Sequence, residues 1–440
     1  MVRAWSLPED ITNLFAPTWS NPQPFLRFRL RELTWRLNKL NFSLFTTFLS
    51  PYLTKIDIKT DPVGRLSRLV HRSTGRVPTD MVTVTRSAIK MFPSSLRSLS
   101  IYLSVGREAG LIEEIGLTEE ISAFIIGRGE SLREFHSNLA LSPEAVAHLV
   151  NLPNLRNWTT EQKPPRVTAL FHNGIPGSPI SLLPSLKSIQ LRGDAALEWL
   201  PLFNTTKNRG PPSTVVGGNL SHLRYTHSTL PINSTLLSKL LPLTDLVEVT
   251  LDLRCMSSGA VGCASRFSDQ DVEVLALALP KLEVLVLGEA PCGANTCSTT
   301  ILSLLFLSIH CASLKQLNVH FRMTTIAMDV MAMVGYAYSH GLHQRPKCAL
   351  GILVAGNQIP LLADYEFALV SMGISTIFPS LTRIQGSRDW GSLTHLVTMC
   401  GKVQGSTDLM KFLNELRLSE GHLSSPVSLV SSLLFFQRGG

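Results

Sequence analysis

The sequence predicts an α/β solenoid, with parallel strands on one side and helices on the other. Three observations carry that prediction. Apolar hexads of one form, L-x-x-φ-x-φ with φ an apolar residue, recur along the chain. Their leading leucines sit at 30, 53, 96, 132, 155, 186, 223, 246, 282, 314, 350 and 381, so successive gaps run from 23 to 43 residues. Helix-start signals and apolar helical stretches fall between the hexads. Repeats of roughly 20–50 residues mark stacked units. Strand–helix–strand order forces parallel pairing through a crossover.

The frame L-x-x-L-x-L is the strand portion of a leucine-rich repeat. The expected fold is therefore a leucine-rich-repeat solenoid, with a curved parallel β-sheet on the concave face and α-helices on the convex face. The strands follow in order. "LRELTW" from Leu30 and "LTKIDI" from Leu53 open the series. "FPSSL" ends on Leu96, "LREFHS" starts at Leu132, and "LPNL" and "LPSL" end on Leu155 and Leu186. "LRYTHS" from Leu223 is degenerate, with Thr226 and Ser228 at the φ positions. "LVEVTL" from Leu246, "LPKL" ending on Leu282, "LKQLNV" from Leu314 and "FPSL" ending on Leu381 complete the set, with "LGILVA" from Leu350 a marginal member.

Helices are expected between them. "SPEAVAHLVNLP" (142–153) has Ser142 as cap and Pro143 at the first helical position. "SDQDVEVLALALP" (268–280) has Ser268 as cap, Asp271 three residues on and Pro280 as stop. "TEEISAFIIGRG" (118–129), "STLLSKLLP" (234–242) and "STTILSLLFLSIHC" (298–311) follow the same plan. "GRGES" (127–131) reads as a left-handed glycine turn closing a helix. Residues 204–219 and 254–267 are Gly/Pro/Ser-rich loops between units. Residues 1–29 form a cap or remnant segment, 30–390 the solenoid, and 391–440 a C-terminal cap or irregular tail.

Composition narrows the function classes. The chain has 440 residues, 44% hydrophobic and 16% charged, which suits a large core. Its formal net charge of +8 is unevenly spread: residues 1–110 hold 16 Lys/Arg and 7 Asp/Glu, the other 330 hold 24 and 25. The first residues lack the apolar stretch of a signal peptide, and no run is long and apolar enough to span a bilayer. The expectation is a cytoplasmic or nuclear protein without a membrane partner. Seven cysteines are an odd number for a disulfide framework. Cys255, Cys263, Cys292 and Cys297 are spaced too widely for a structural zinc site.

No phosphate-binding loop, dinucleotide fingerprint, nucleophile elbow or zinc-protease motif occurs. His310 and Cys311 are adjacent at a helix end, where neighbouring side chains diverge. The expectation is a non-enzymatic protein with no cofactor and no metal. Its binding residues are then those of the strand positions that alternate with the φ residues. In the first units these are Glu32, Arg36, Lys55 and Lys59. The middle units supply Glu134, His136, Gln190 and Arg192. Tyr225, His227, Glu248 and Asp252 follow. The last are Val284, Val286, Gln316, Asn318 and His320, with the valine pair forming an apolar rung. This mixed set suits a protein partner.

Four stretches resemble the repeat region of a large family of fungal F-box/leucine-rich-repeat-type proteins. They are "RELTWRLNKLNFSLFTTFLSP" (31–51), "SLREFHSNLALSPEAVAHLVNLPNLRNWTTEQ" (131–162), "SRFSDQDVEVLALALPKLEVLVLGEAPC" (265–292) and "GYAYSHGLHQRPKCAL" (335–350). The resemblance covers roughly residues 25–400 and implies a substrate receptor of a cullin-RING ubiquitin ligase, docked on its adaptor through an N-terminal F-box. "LPEDITNLF" (7–15) is similar to an F-box opening, but Pro17, Pro22 and Pro24 interrupt the helices that module needs. The adaptor is thus an expected partner only if the full gene product carries an F-box. The alternative reading is binding of nucleic acid or an acidic partner through the basic first 110 residues, where Arg27, Arg29, Arg31 and Arg36 cluster near Phe28 and Trp35. Nucleic acid is the weaker of the two.

Overall fold

In the computed structural model, the described residues are 30–37, 48–60, 79–102, 111–164, 183–203, 220–227, 234–253, 267–288, 299–319, 348–355 and 380–385, with a few isolated positions between 321 and 378. They form an α/β structure of parallel strands and intervening helices. The chain divides into two compact units, residues 1–220 and 221–440.

The first unit holds β1 (Glu32–Leu37), β2 (Lys55–Thr60), β3 (Ser98–Tyr102), β4 (Glu134–Ser137), β5 (Asn157–Thr160) and β6 (Ser188–Arg192). Each pairs in parallel with the next. Its helices are α1 (Thr79–Lys90), α2 (Leu111–Arg128) and α3 (Pro143–Val150), and a 3-10 segment follows β6 at Asp194–Phe203. The second unit holds β7 (His222–His227), β8 (Glu248–Leu253), β9 (Val284–Leu287), β10 (Gln316–Val319), β11 (Ile352–Ala355) and β12 (Arg383–Gln385), again paired in parallel in chain order. Its helices are α4 (Ser234–Leu240), α5 (Asp269–Ala278) and α6 (Ser303–His310).

Every strand begins two residues after a buried leucine. Leu53, Leu96, Leu132, Leu155, Leu186, Leu246, Leu282, Leu314 and Leu350 are all 0% exposed. Burying one leucine side chain is worth about 1.5–3 kcal/mol, so the repeated leader is a large share of each unit's stability. The φ residues are buried as well, among them Leu33, Ile56, Leu99, Phe135, Ile189, Val249, Leu285, Leu317 and Leu353. Two second-φ positions are polar, Ser137 and Thr160, and both are buried. Each hydroxyl accepts a local backbone N–H, from Leu139 at 3.0 Å and from Gln162 at 3.1 Å. That satisfies groups whose burial would otherwise be costly.

A second repeat runs through the residue before the leader. Ser95 Oγ lies 3.2 Å from the carbonyls of Pro51 and Leu53, and Ser131 Oγ lies 2.6 Å from those of Ser94 and Leu96. Ser185 Oγ donates to the Pro153 carbonyl at 2.5 Å. Each serine thus ties the turn of one unit to the turn before it, using carbonyls that no strand partner reaches. Helix ends are handled similarly. Arg128, the last residue of α2, donates to the carbonyls of Phe92 and Lys90 at 3.1 and 2.8 Å, just past the end of α1 and at its last residue.

The helix signals hold. Ser142 accepts from the Ala145 N–H at 3.2 Å, ahead of Pro143. Ser268 and Asp271 form a reciprocal capping box. Three expectations need correction. The helix within 298–311 starts only at Ser303, because Thr300 binds the Asp269 carboxylate through both its N–H and its Oγ1, each at 2.7 Å. "GRGES" does not end its helix on a left-handed glycine: α2 continues through Arg128 into a 3-10 turn at Gly129–Ser131. Among the described glycines, positive φ belongs to Gly193 and Gly288. Gly288 leaves β9 at φ 94° and is buried, a position only glycine fills without strain.

The third correction concerns β7. The leader is Leu220, not Leu223. Leu220, Leu223 and Tyr225 are 4%, 1% and 3% exposed, so Leu223 and Tyr225 are the two φ residues. The expected frame falls three residues too late, because a tyrosine at the second φ does not look aliphatic. Its ring supplies the apolar bulk the position needs.

Among the described residues, no helix is long and apolar enough to cross a membrane. Residues 1–29 and 391–440, the F-box-like opening at 7–15, the loop 204–219, most of the loop 254–267, and Cys255, Cys263, Cys292 and Cys297 lie outside the described residues.

Candidate functional site

The side chains that alternate with the φ residues line one face of the strands in each unit. Most are half-buried or exposed. In the first unit they are tied together across strands. Glu134 on β4 accepts from Ser98 Oγ of β3 at 2.8 Å and from Asn157 Nδ2 of β5 at 3.1 Å. One residue pair along, His136 Nδ1 lies 2.7 Å from Thr159 Oγ1, and Thr159 Oγ1 lies 3.4 Å from Gln190 Oε1. The series is consistent in direction when His136 carries its proton on Nδ1, donating to Thr159, which donates to Gln190. These rows follow from register, since Ser98, Glu134, Asn157 and Ser188 are successive in-line neighbours, as are His136, Thr159 and Gln190.

Burial pushes the His136 pKa below its ordinary 6.5. The carboxylates of Glu134 and Asp57 pull it up, while Arg192 and Lys55 add to the downward push. The desolvation cost of the imidazolium wins. Near neutral pH this face carries a neutral histidine inside a hydrogen-bonded row.

Arg192 reaches furthest. From β6 its Nη2 comes within 3.4 Å of the Tyr102 hydroxyl on β3, its Cζ sits 4.7 Å from the Tyr102 ring centroid, and its Nη1 is 3.4 Å from Glu161. β4 and β5 lie between those strands. A half-exposed cation–π contact is worth about 0.5–1 kcal/mol, enough to hold the guanidinium across the face. Lys59 pairs with Asp57 at 2.8 Å, while Glu32 and Lys55 are exposed.

The second unit's face differs. His222 faces Glu248 at 3.9 Å, and Arg224 Nη2 lies 3.9 Å from Asp252 Oδ2. Further on, Val284, Gln316 and Ile352 are in-line neighbours, as are Val286, Asn318 and Val354. All six are half-buried. Two amide side chains thus lie between two pairs of β-branched apolar ones.

Fourteen of the seventeen expected positions can be placed on or off the face by their side chains. Glu32, Lys55, Lys59, Glu134, His136, Gln190, Arg192, Glu248, Val284, Val286, Gln316 and Asn318 lie on it. Tyr225 does not: at 3% exposure it is a core residue, and Arg224 takes its place. Asp252 is on the right strand position but is only 4% exposed, so it is not a contact surface. The side chains of Arg36 and His227, and His320 altogether, lie outside the described residues. The frame failed to single out Ser98, Tyr102, Asn157 and Thr159, which hold the first unit's rows together. It also missed Ile352 and Val354, because their repeat was a marginal match. Applying the same parity to every leader finds all of them.

Trp35, near which the N-terminal arginines cluster in the sequence, is 3% exposed and belongs to the core. Cys311 and Cys348 are buried free thiols. Cys311 Sγ faces the carbonyls of Ala276 and Leu279 at 3.7 and 3.6 Å, and burial pushes its pKa up to about 12. Burial raises Cys348 too. Neither thiol is poised as a nucleophile. Among the described residues, no group of three or more His, Cys, Asp or Glu is placed to hold a metal ion. A comparison with protein-family models finds no match, and neither does a comparison with curated proteins.

Proposed function

We propose that this chain is a leucine-rich-repeat solenoid that binds a protein partner on the strand face opposite its buried φ residues. The observation that carries this reading is the pre-ordered polar face of the first unit. Its Ser98–Glu134–Asn157 and His136–Thr159–Gln190 rows fix side chains that would otherwise lose rotamer freedom on binding. The valine, isoleucine and amide rungs of the second unit offer the apolar content a partner needs at an interface centre. On this reading the strand face is concave, the protein acts without catalysis, and it works in the cytoplasm or nucleus. The sequence resemblance to F-box/leucine-rich-repeat proteins supports a receptor role for a ubiquitin-ligase substrate.

Affinity capture from cell extract with the parent chain and with a His136→Ala/Gln190→Ala/Asn318→Ala variant tests it. The expected result is a protein retained by the parent and lost by the variant, with melting temperature unchanged. Identical captured sets would remove the face from consideration. Recovery of a cullin or its adaptor bears separately on the ligase role, and its absence would leave a free-standing binding module.

A further inference from the structure

The residue between each leader and its strand sits at the strand-entry edge. In the first unit this column reads Arg31, Thr54, Arg97, Arg133, Arg156 and Lys187. The backbone makes them successive neighbours: the N–H of Thr54 binds the Arg31 carbonyl, Arg97 that of Thr54, Arg133 that of Arg97, Arg156 that of Arg133 and Lys187 that of Arg156. All but Thr54 are exposed. Neighbouring strands are about 4.8 Å apart, so Arg97 to Lys187 place four cations along about 14 Å.

Like charges aligned on adjacent strands repel. Among the described residues, Arg31, Arg97, Arg133 and Arg156 have no ion-pair partner. Other cations of the same unit do: Arg86 and Lys90 pair with Glu120, Lys163 with Glu198, Lys59 with Asp57 and Arg192 with Glu161. The matching column of the second unit reads Ser221, Val247, Glu283, Lys315, Gly351 and Thr382. There the single cation is neutralised, Lys315 to Glu283 at 2.7 Å. Three successive arginines, Arg97, Arg133 and Arg156, are therefore exposed and, among the described residues, without an ion-pair partner, a feature the second unit's column does not share.

We propose that this edge binds an extended acidic segment of a partner protein. The inference rests on the proposed binding role only in taking the partner to be a protein, and it locates the contact on the edge rather than the strand face. Charge complementarity requires an anion. The immediate surroundings favour a peptide over a nucleic acid. A peptide backbone carries N–H donors that a phosphodiester backbone lacks, and Glu32, exposed beside Arg31, offers them an acceptor. Single-stranded nucleic acid also needs aromatic faces for base stacking. Trp35 and Trp158 are buried and the Tyr102 ring is covered by Arg192, so among the described residues of this unit Tyr52, 53% exposed, is a single ring beside the edge rather than a stacking series.

Fluorescence anisotropy with the full chain tests the edge. The probes are a labelled peptide of alternating glutamate and serine, a labelled oligothymidylate of matched charge, and phosphatidylserine vesicles. The peptide should bind, more weakly as salt is added. Arg133→Gln/Arg156→Gln should weaken it about tenfold, through two lost charge-assisted contacts. Arg133→Lys/Arg156→Lys should retain most of the affinity, and His136→Ala/Gln190→Ala should leave it unchanged. The inference is overturned if the Gln variant, with its melting temperature unaltered, binds the peptide like the parent, if the oligonucleotide or vesicles bind more tightly than the peptide, or if the peptide does not bind. Loss in the face variant alone would remove the edge and keep the face. Loss in the edge variant alone, with captured partners indifferent to the face, would do the reverse.

Discussion

Leu285 and Val286 are adjacent on β9 and should respond very differently to truncation. Leu285 is 0% exposed, and its in-line neighbours Val249 and Leu317 are also 0% exposed. Leu285→Ala removes a fully buried isobutyl group and leaves a cavity, at about 2–5 kcal/mol. Val286 is half-buried on the opposite face, between Thr250 and Asn318. Val286→Ala removes methyls already partly in water, so about 0.5–1 kcal/mol is lost. The second unit spans residues 221–440. For a unit of that size, about 1 kcal/mol shifts the melting temperature by about 2–4 °C. Taking about 3 kcal/mol for Leu285→Ala, its melting temperature should fall by about 6–12 °C, against less than about 4 °C for Val286→Ala. Leu285→Asp should prevent the unit from folding, because the buried carboxylate has no partner. Circular-dichroism melting measures this, and amide exchange around β8–β10 shows whether the loss is local, since stacked units need not unfold together. Equal melting temperatures for the two alanine variants would mean the strand register described above is wrong.

Two further outcomes follow. Tyr225→Ala should cost about 3–5 kcal/mol, whereas Arg224→Ala, on the exposed side, should cost under about 1 kcal/mol in a urea titration. The opposite order would restore the frame that starts at Leu223. His136 has a folded-state pKa below its ordinary value, so the unfolded chain binds its proton first. Its neutral form contributes stability that is present above about pH 6.5 and is lost as pH falls from there through the folded pKa. His136→Gln should flatten the fall in melting temperature below about pH 6.5 relative to the parent. A parent and variant with parallel pH profiles would show that His136 is not the group responsible.

Much of this architecture is legible in the sequence because it depends on local pattern. A leucine, two positions later a strand, and a period-two alternation define where each strand starts and which side chains are buried. Ser142–Pro143 and Ser268–Asp271 announce their helices because caps satisfy local N–H groups. Misreadings arose where a residue met the demand of its position without its usual chemistry. Tyr225 fills an aliphatic position, and Thr300 delays a helix by binding a carboxylate in the preceding helix.

What tertiary structure alone decided is which units' side chains meet. The sequence by itself determined the parallel α/β repeat, the leucine leaders and the parity of nearly every strand, since these follow from spacing within a few residues. It could not determine that Glu134 accepts from Ser98 and Asn157, or that Arg192 covers Tyr102, 90 residues away along the chain. Nor did it align Arg97, Arg133, Arg156 and Lys187 into one edge, because gaps of unequal length separate them. The strand hydrogen bonds cancel those inequalities: whatever the loop between two leaders, register brings the residues after them back to adjacent places.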